Sequence, residues 1–482
     1  IWELIQNAKD CSKEARSFIT NPEKLPFKRA RQSVDIKIIY DESKKILIFK
    51  HNGFPFTAET LNSLMYKYSS KMSGGDDKTG RFGTGFVTTH TLSRVVPIHA
   101  PFLTEEDQKW KLYYIEAVIY REGDAKWQLR EEFYKMEKSK KAFKYDPQNE
   151  EHKWTTFTYE LKEEKNIESA RLGIQSFREH IMEVLLFCDE INSIQINDEA
   201  PIFSSAVSSG RNLTQSIIKQ NIFHNIQITE KNVVYNDERK FIVATVEEPH
   251  EAFSKKLAEE NGKPYELKNL KLTIAFETDF NNKLIQKDHN KICLFCTFPL
   301  IASDTYQLPF LLHSPYLDTF SERNGIILEG DHYKPNGTLS KTGLNCIILN
   351  YSIELFKIIL QMLIQNNFTN LSVLSNGLIY NEKTLKSMIP FLDQFRTVMG
   401  ESKVIHNSKG DRALLKETTI LDFNGIKDPK TFYELATQLY KNVASFEDCN
   451  EWQHKTWEKI SVLNLDTFVN HISHIGQNIP FN

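Results

Sequence analysis

The sequence reads TGRFGTGF at residues 79–86, a glycine-rich stretch directly before a predicted helix that begins at Phe86. Glycines let backbone N–H groups approach a phosphate closely, and a helix N-terminus adds a favourable dipole. No strand leads straight into the stretch, as the dinucleotide-binding fingerprint requires, and no Gly-Lys-Ser/Thr follows, as a P-loop requires. A polar, glycine-rich loop at residues 69–80 precedes it, and this context favours phosphate binding.

A second motif, ELIQNAKD at residues 3–10, lies on a helix predicted over residues 1–17. Helical spacing places Glu3, Asn7 and Asp10 on one face. An amide oxygen is a suitable ligand for Mg²⁺, and a carboxylate one turn away can orient or deprotonate a water. The alternative is a solvated polar stripe without chemistry.

A third motif, HNGFPF at residues 51–56, ends a predicted β-hairpin whose strands cover residues 34–40 and 46–49. A polar side chain followed by glycine at a strand exit lets a ligand approach the backbone. The alternative is a plain Asn-Gly turn.

In this order, the three motifs resemble the ATP site of the GHKL superfamily, which includes gyrase, heat-shock-90 chaperones, histidine kinases and MutL. ELIQNAKD resembles the N-box of that superfamily, and GRFGTGF is similar to the glycine motif of its heat-shock-90 branch. The resemblance covers about residues 1–200. It implies an α/β fold of the Bergerat type, an α+β two-layer sandwich, with ATP and Mg²⁺ as cofactors.

The resemblance also implies roles for individual residues. Glu3 would be the general base for hydrolysis, Asn7 the Mg²⁺ ligand, and Asp10 a support for the helix and the site. Residues 69–79 would form a lid. The remaining nucleotide-binding positions would be His51, Asn52, Gly53, Ser70, Lys71, Gly80, Arg81, Phe82, Gly83, Thr84, Gly85, Phe86 and Thr155.

Three positions depart from the family pattern. His51 stands where the family has an adenine-reading Asp, Pro55 replaces a glycine, and Trp154 replaces the glycine before the late threonine, here Thr155. A carboxylate accepts a hydrogen bond from the adenine amino group. A neutral His can accept through one nitrogen, and the side chain of Asn52 offers another acceptor. Both remain candidates.

The rest of the chain suggests two further parts. We expect an ATP-binding domain over residues 1–203, a transducer-like α/β domain over 204–343 and a mainly helical module over 344–482. The SSAVSS stretch at residues 204–209 is a shift in composition near the first boundary.

Within the superfamily, the sequences of the motifs look most like those of bacterial ATP-binding proteins related to the sacsin N-terminal domain. Residues 298–314 and 322–326 also resemble that branch. In related ATPases a basic residue of the middle domain reaches the γ-phosphate, and Arg323 is the candidate here. The alternative for Arg323 is a surface or strand-capping role.

Composition limits the functions that fit. The 482 residues carry 60 basic and 63 acidic side chains, a net charge of −3, so no bulk charge favours nucleic acid or an anionic membrane as the main partner. The apolar stretch at 346–364 contains Asn350, Glu354 and Lys357 and predicts a buried helix rather than a membrane span. No signal peptide is visible, and we expect a cytoplasmic protein. Because an N-box normally has chain before it, we also expect residues to precede Ile1.

The predicted function is slow Mg²⁺-dependent ATP hydrolysis that drives a conformational switch. It would serve a bacterial stress or antiviral defence complex, or act like a chaperone on protein clients, with a protein partner or a homodimer. Three alternatives remain: a clamp of the MutL or topoisomerase type, where nucleic acid enters only indirectly; a histidine kinase; and a nucleotide sensor with little turnover.

Overall fold

The structure is a computed structural model of a mixed α/β protein. It divides into two compact units, Ile1–Ser205 with Val233–Glu238, and Ala206–Asn232 with Arg239–Asn482. The separate helical module predicted from residue 344 stays a prediction. The residues described are 1–12, 33–64, 85–123, 126–207, 222–235, 237–261, 269–288 and 291–477.

The first unit contains a mixed β-sheet. Its strands lie in the spatial order β8-β7-β1-β2-β6-β3-β4-β5. Strand β1 runs parallel to β7, and the other neighbouring pairs of this order are antiparallel. The strands that lie wholly or mostly in this unit are β1 (Val34–Asp41), β2 (Ile46–His51), β3 (Val95–Glu106), β4 (Lys109–Tyr120), β5 (Lys141–Lys144), β6 (Thr155–Glu160), β7 (Ile191–Ile196) and β8 (Ile202–Val207).

The helices of the first unit pack on this sheet. Helix α1 contacts β1, and α4 contacts β7. The helices are α1 (Trp2–Asp10), α2 (Ala58–Ser63), α3 (Lys126–Ser139) and α4 (Glu164–Phe187), with 3₁₀ helices at Gly85–Thr91 and Glu150–Lys153. The helix predicted to begin at Phe86 is therefore a 3₁₀ helix. Of the helix predicted over 1–17, the structure ends α1 at Asp10 with Cys11 and Ser12 in a turn, and residues 13–17 lie beyond the described part.

The hairpin predicted from alternating hydrophobicity is confirmed. Every second side chain is buried from Val34 to Ile38 in β1 and throughout β2, and Ile38 pairs with Phe49 in antiparallel register. Helix α2 begins with a capping box at Thr57, since the Thr57 hydroxyl accepts from the Thr60 backbone N–H and the Thr60 hydroxyl accepts from the Thr57 N–H.

Strand β3 was not predicted, and it lies between β6 and β4 in the sheet. It contains Pro97 and Pro101, which argue against an interior strand because proline has no N–H to donate. The structure accommodates them because β3 pairs with β6 only at Ile98 and His99. At Pro101, outside the pairing with β6, the proline carbonyl accepts a hydrogen bond from the Phe56 N–H at 2.9 Å.

The sheet strands that lie wholly or mostly in the second unit follow the order β13-β12-β14-β11-β10-β9. Strand β12 is parallel to β14, while β10 with β11, β11 with β14 and β12 with β13 are antiparallel. The strands that lie wholly or mostly here are β9 (Ile226–Tyr235), β10 (Asp237–Pro249), β11 (Asn269–Thr278), β12 (Leu294–Cys296), β13 (Phe298–Pro299) and β14 (Leu311–His313), with two small sheets made of β15 (Ile405–His406), β16 (Arg412–Ala413), β17 (Ile420–Leu421) and β18 (Val462–Leu463).

The core of the second unit surrounds one long apolar helix. The helices are α5 (Glu251–Asn261), α6 (Lys341–Gln365), α7 (Ile389–Gly400), α8 (Pro429–Leu439), α9 (Phe446–Glu451) and α10 (Leu465–Gln477), with 3₁₀ helices at Ser303–Tyr306, Leu371–Ser375, Lys386–Met388 and Leu415–Glu417. By length and composition α6 could cross a membrane, yet 61% of its most apolar 18-residue stretch is buried inside the protein. The buried helix predicted over 346–364 is confirmed. Phe356 lies among Phe276, Phe310 and Phe395, with ring centroids 5.4–6.4 Å away.

Candidate functional site

The polar stripe of α1 is not a fully solvated face. Glu3 and Asn7 are half-buried and Asp10 is buried. The apolar residues Leu4, Ile5 and Ala8 anchor the opposite side in the core. Trp2 holds the start of the helix against α4, since its ring meets Phe177 edge-on at 5.1 Å and its Nε1 donates to Ser176 Oγ at 3.4 Å. The stripe is thus held in place by packing on both sides of the helix.

The end of α1 meets the exit of β2. The Phe54 N–H donates to the Cys11 carbonyl at 2.9 Å, which joins the first motif to the HNGFPF motif. A Cβ on Gly53 would lie 2.8 Å from Cys11 Cβ and 2.8 Å from His51 Nδ1. Glycine is therefore needed at this position for a close approach, not only for a turn.

His51 is the last residue of β2 and is only 2% exposed. The Gly53 N–H donates to its Nδ1 at 3.1 Å. Because Nδ1 is an acceptor in this bond, the neutral ring carries its proton on Nε2. The accepting lone pair of the imidazole, on Nδ1, is therefore already taken up by the Gly53 N–H.

Asn52 is held by a residue that the sequence analysis did not single out, Asp35 of β1. Asn52 Oδ1 accepts from the Asp35 N–H at 2.7 Å, and Asn52 Nδ2 donates to Asp35 Oδ2 at 2.8 Å. The other carboxylate oxygen of Asp35 accepts from Asn192 Nδ2 and Ser193 Oγ, both at 2.6 Å. Asp35 therefore ties the strand exit to β7. In the sequence it is simply the polar residue of an alternating strand, and no motif marks it.

Thr155 opens β6 directly opposite His51 in the register. It is 1% exposed, and among the described residues its Oγ1 has no hydrogen-bond partner. The Thr156 hydroxyl also lacks a partner among the described residues, but as the next residue of the strand it faces the other side of the sheet. A buried polar group without a partner costs about 1–3 kcal/mol. The Thr155 hydroxyl, on the same face of the sheet as His51, fits a pocket that a polar ligand or water completes.

Phe157 joins the remaining parts of the site. Its ring lies 6.2 Å from that of His51 and 5.6 Å from that of Phe86, which is the second residue of the Gly85–Thr91 helix. That helix also contacts α1. The structure thus brings together α1, the strand exit, the start of β6 and the end of the glycine motif.

Arg121 is the second residue that sequence analysis missed. It is buried, and its guanidinium donates to the carbonyls of Phe86, at 3.0 Å, and of Leu64, while its Nη1 lies 3.3 Å from His90 Nε2. It also stacks over the Phe86 ring at 4.4 Å. Burial lowers the pKa of Arg121 to about 10, which leaves it charged at neutral pH. As a single Arg after a strand, it carries no signal in the sequence.

Several predicted residues cannot be placed. Ser70, Lys71, Gly80, Arg81, Phe82, Gly83 and Thr84 lie outside the described residues, as does the lid predicted over 69–79.

Arg323 belongs to the second unit. Its Nη2 donates to the Cys296 carbonyl at 2.8 Å, and its own backbone adopts a φ of +53°. Within that unit its guanidinium supports the end of β12. This contact is of the capping kind that the sequence analysis kept as the alternative.

In the parts of the chain described, no group of three or more His, Cys, Asp or Glu side chains converges to hold a metal ion. A Mg²⁺ site built from Asn7, phosphates and water does not need such a group. Comparison with protein-family models and with curated proteins returns no match to this chain.

Proposed function

We propose that the first unit is a GHKL-type ATP-binding domain with a two-layer α+β fold, and that it hydrolyses ATP slowly with Mg²⁺. The observation that supports it is the meeting of four separate segments, three of which meet at Phe157. These are α1, the exit of β2, the first residues of β6 and the helix that ends the glycine motif. The buried hydroxyl of Thr155, which has no partner among the described residues, adds support for a pocket that a polar group completes.

The roles of the residues follow from their chemistry and position. Asn7 would hold Mg²⁺ through its amide oxygen, and the ion would neutralise charge on the phosphates. Glu3 lies one helical turn earlier, about 6 Å along the axis, and would orient a water and take its proton. Backbone N–H groups at the start of the Gly85–Thr91 helix would bind phosphate oxygens.

The wider role is a proposal on the same basis. A heat-shock-90 or sacsin-like switch would couple nucleotide binding to a conformational change, acting on protein clients or within a bacterial stress or defence complex in the cytoplasm. The homodimer proposed for it is testable by light scattering with and without a non-hydrolysable ATP analogue.

The central test separates binding from turnover. The full chain is titrated with ATP by calorimetry, with and without Mg²⁺, and assayed for phosphate release. We expect Glu3→Ala to bind ATP like the parent but to lose at least tenfold in turnover, because only the base is removed. We expect Asn7→Ala to lose the Mg²⁺-dependent part of binding. Glu179→Ala removes an exposed carboxylate from α4 and should change neither property.

The outcomes distinguish the candidates. If the parent binds no nucleotide, the proposal fails as a whole. If Glu3→Ala turns over like an active parent, the assignment of Glu3 as the base is wrong. If the parent binds ATP but releases almost no phosphate, the first unit is a nucleotide sensor rather than an ATPase.

A further inference from the structure

We infer that the proposed nucleotide site does not select adenine, and that it binds ATP, GTP and ITP with affinities within about tenfold of one another. This inference rests on the proposed function and concerns the substrate class of the same site. It follows from the hydrogen bonds that already occupy the side chains at the strand exit.

Selection between purines depends on position 6 of the base. Adenine presents an amino donor there, whereas guanine and hypoxanthine present a carbonyl acceptor. A pocket that selects adenine needs a buried acceptor aimed at the amino group. It then rejects 6-oxo purines because its acceptor would be left unpaired against their carbonyl.

His51 cannot supply that acceptor in this structure. Its Nδ1 already accepts from the Gly53 N–H, and its neutral Nε2 carries a proton. Protonating the ring would place an N–H on Nδ1 against the Gly53 N–H and remove the bond. In either protonation state the ring has no second lone pair to offer.

Asn52 cannot supply it either. Its planar amide is fixed from both ends, because Oδ1 accepts from the Asp35 N–H and Nδ2 donates to the Asp35 carboxylate. Turning the amide toward a ligand would break both bonds. Asp35 in turn is held by Asn192 and Ser193, so the arrangement does not reorganise cheaply.

The Thr155 hydroxyl, on the same face of the sheet as His51, is buried at this place and has no hydrogen-bond partner among the residues described. A hydroxyl rotates to suit its partner, donating to a carbonyl or accepting from an amino group. It therefore pairs with either kind of purine, and neither kind leaves a buried group unsatisfied. Because the hydroxyl can act as either donor or acceptor, we expect the site to bind purines without selecting adenine.

The test measures dissociation constants of ATP, GTP, ITP and CTP for the full chain with Mg²⁺ by calorimetry. We expect the three purine nucleotides to agree within about tenfold and CTP to bind at least tenfold more weakly. A preference of the parent for ATP over GTP above about a hundredfold overturns the inference. So does CTP binding equal to the purines, because the base would then not be read. Absence of all binding is a different result, since it removes the proposed function itself.

Two variants make the test specific. His51→Asp introduces a carboxylate with enough lone pairs to accept both from Gly53 and from an amino group, so we expect the ATP-to-GTP preference to rise at least tenfold. His474→Asp makes the same change at an exposed residue of α10 and should leave the preference unaltered. An unchanged preference in a folded His51→Asp protein contradicts the inference.

A third variant covers the case in which the Asp introduced at position 51 prevents folding. Thr155→Val keeps the shape and removes the hydroxyl. We expect it to weaken ATP and GTP by the same factor, about fivefold or more. Selective loss of one nucleotide would show that Thr155 has a fixed polarity and would overturn the inference.

Discussion

At the scale of single residues, the site depends on polar atoms that already form hydrogen bonds within the protein. Gly53 shows this most directly, because its N–H fixes the His51 ring and its missing Cβ leaves room for Cys11. Asn52 and Asp35 form a second fixed pair beside it. The close approach of α1 to the strand exit therefore requires glycine at position 53.

Replacing that residue should be costly. Gly53→Ala brings a Cβ to 2.8 Å from both Cys11 Cβ and His51 Nδ1, so the backbone or α1 must shift. We expect a loss of about 1–3 kcal/mol in the free energy of unfolding of the first unit, measured by urea denaturation. Gly400→Ala is the control, since its nearest atom is Lys416 Cβ at 3.9 Å, and it should be neutral or slightly stabilising. Equal effects of the two would contradict the close contact.

At the scale of elements, strand register and helix ends decide which polar groups meet. The β2–β6 register places Thr155 opposite His51, and a shift by one residue would turn both away from each other. In the second unit, His250 directly precedes α5, with its Nε2 3.3 Å from the Tyr351 hydroxyl and its ring 5.0 Å from that of Phe253.

This placement predicts a pH dependence. Burial lowers the pKa of His250 below its ordinary 6.5, so at mildly acid pH the unfolded chain binds a proton that the folded unit does not. The stabilisation is present above pH 6.5 and is lost as the pH falls toward the lower, folded pKa. We expect the urea midpoint to drop less between pH 7.5 and 5 in His250→Gln than in the parent. Equal drops would mean that His250 does not contribute.

At the scale of the whole molecule, the chain forms two compact units with separate aromatic cores. One contains the proposed nucleotide site, and the other surrounds Phe356 of α6. A ligand that binds only the folded form of one unit should stabilise that unit by mass action, by about 2.7 kcal/mol at a hundredfold excess over its dissociation constant.

Calorimetric unfolding should therefore show two transitions that respond to different changes. A non-hydrolysable ATP analogue with Mg²⁺ should raise the transition of the first unit. Phe356→Ala should lower the other, because removing a buried Phe costs about 3–5 kcal/mol. If both changes move a single transition, the two units unfold as one cooperative body.

Much of the fold was predictable from local patterns. The β1–β2 hairpin, the Thr57 cap and the buried α6 all follow from periodicity or capping chemistry within about 25 residues. Strand β3 escaped prediction because its prolines argue against a strand that its neighbours in space nevertheless accommodate. The 3₁₀ form of Gly85–Thr91 likewise could not be told from an α-helix by its apolar spacing.

The sequence by itself determined the motifs, their order and the residues that form the stripe on α1, because spacing along one element is a local property. Only the tertiary structure decided which side chains remain able to bind a ligand. Asp35 reaches Asn52 across 17 residues and Asn192 across 157, and Arg121 reaches Leu64 across 57. Those contacts depend on strand register and packing between distant segments, and no spacing in the chain encodes them.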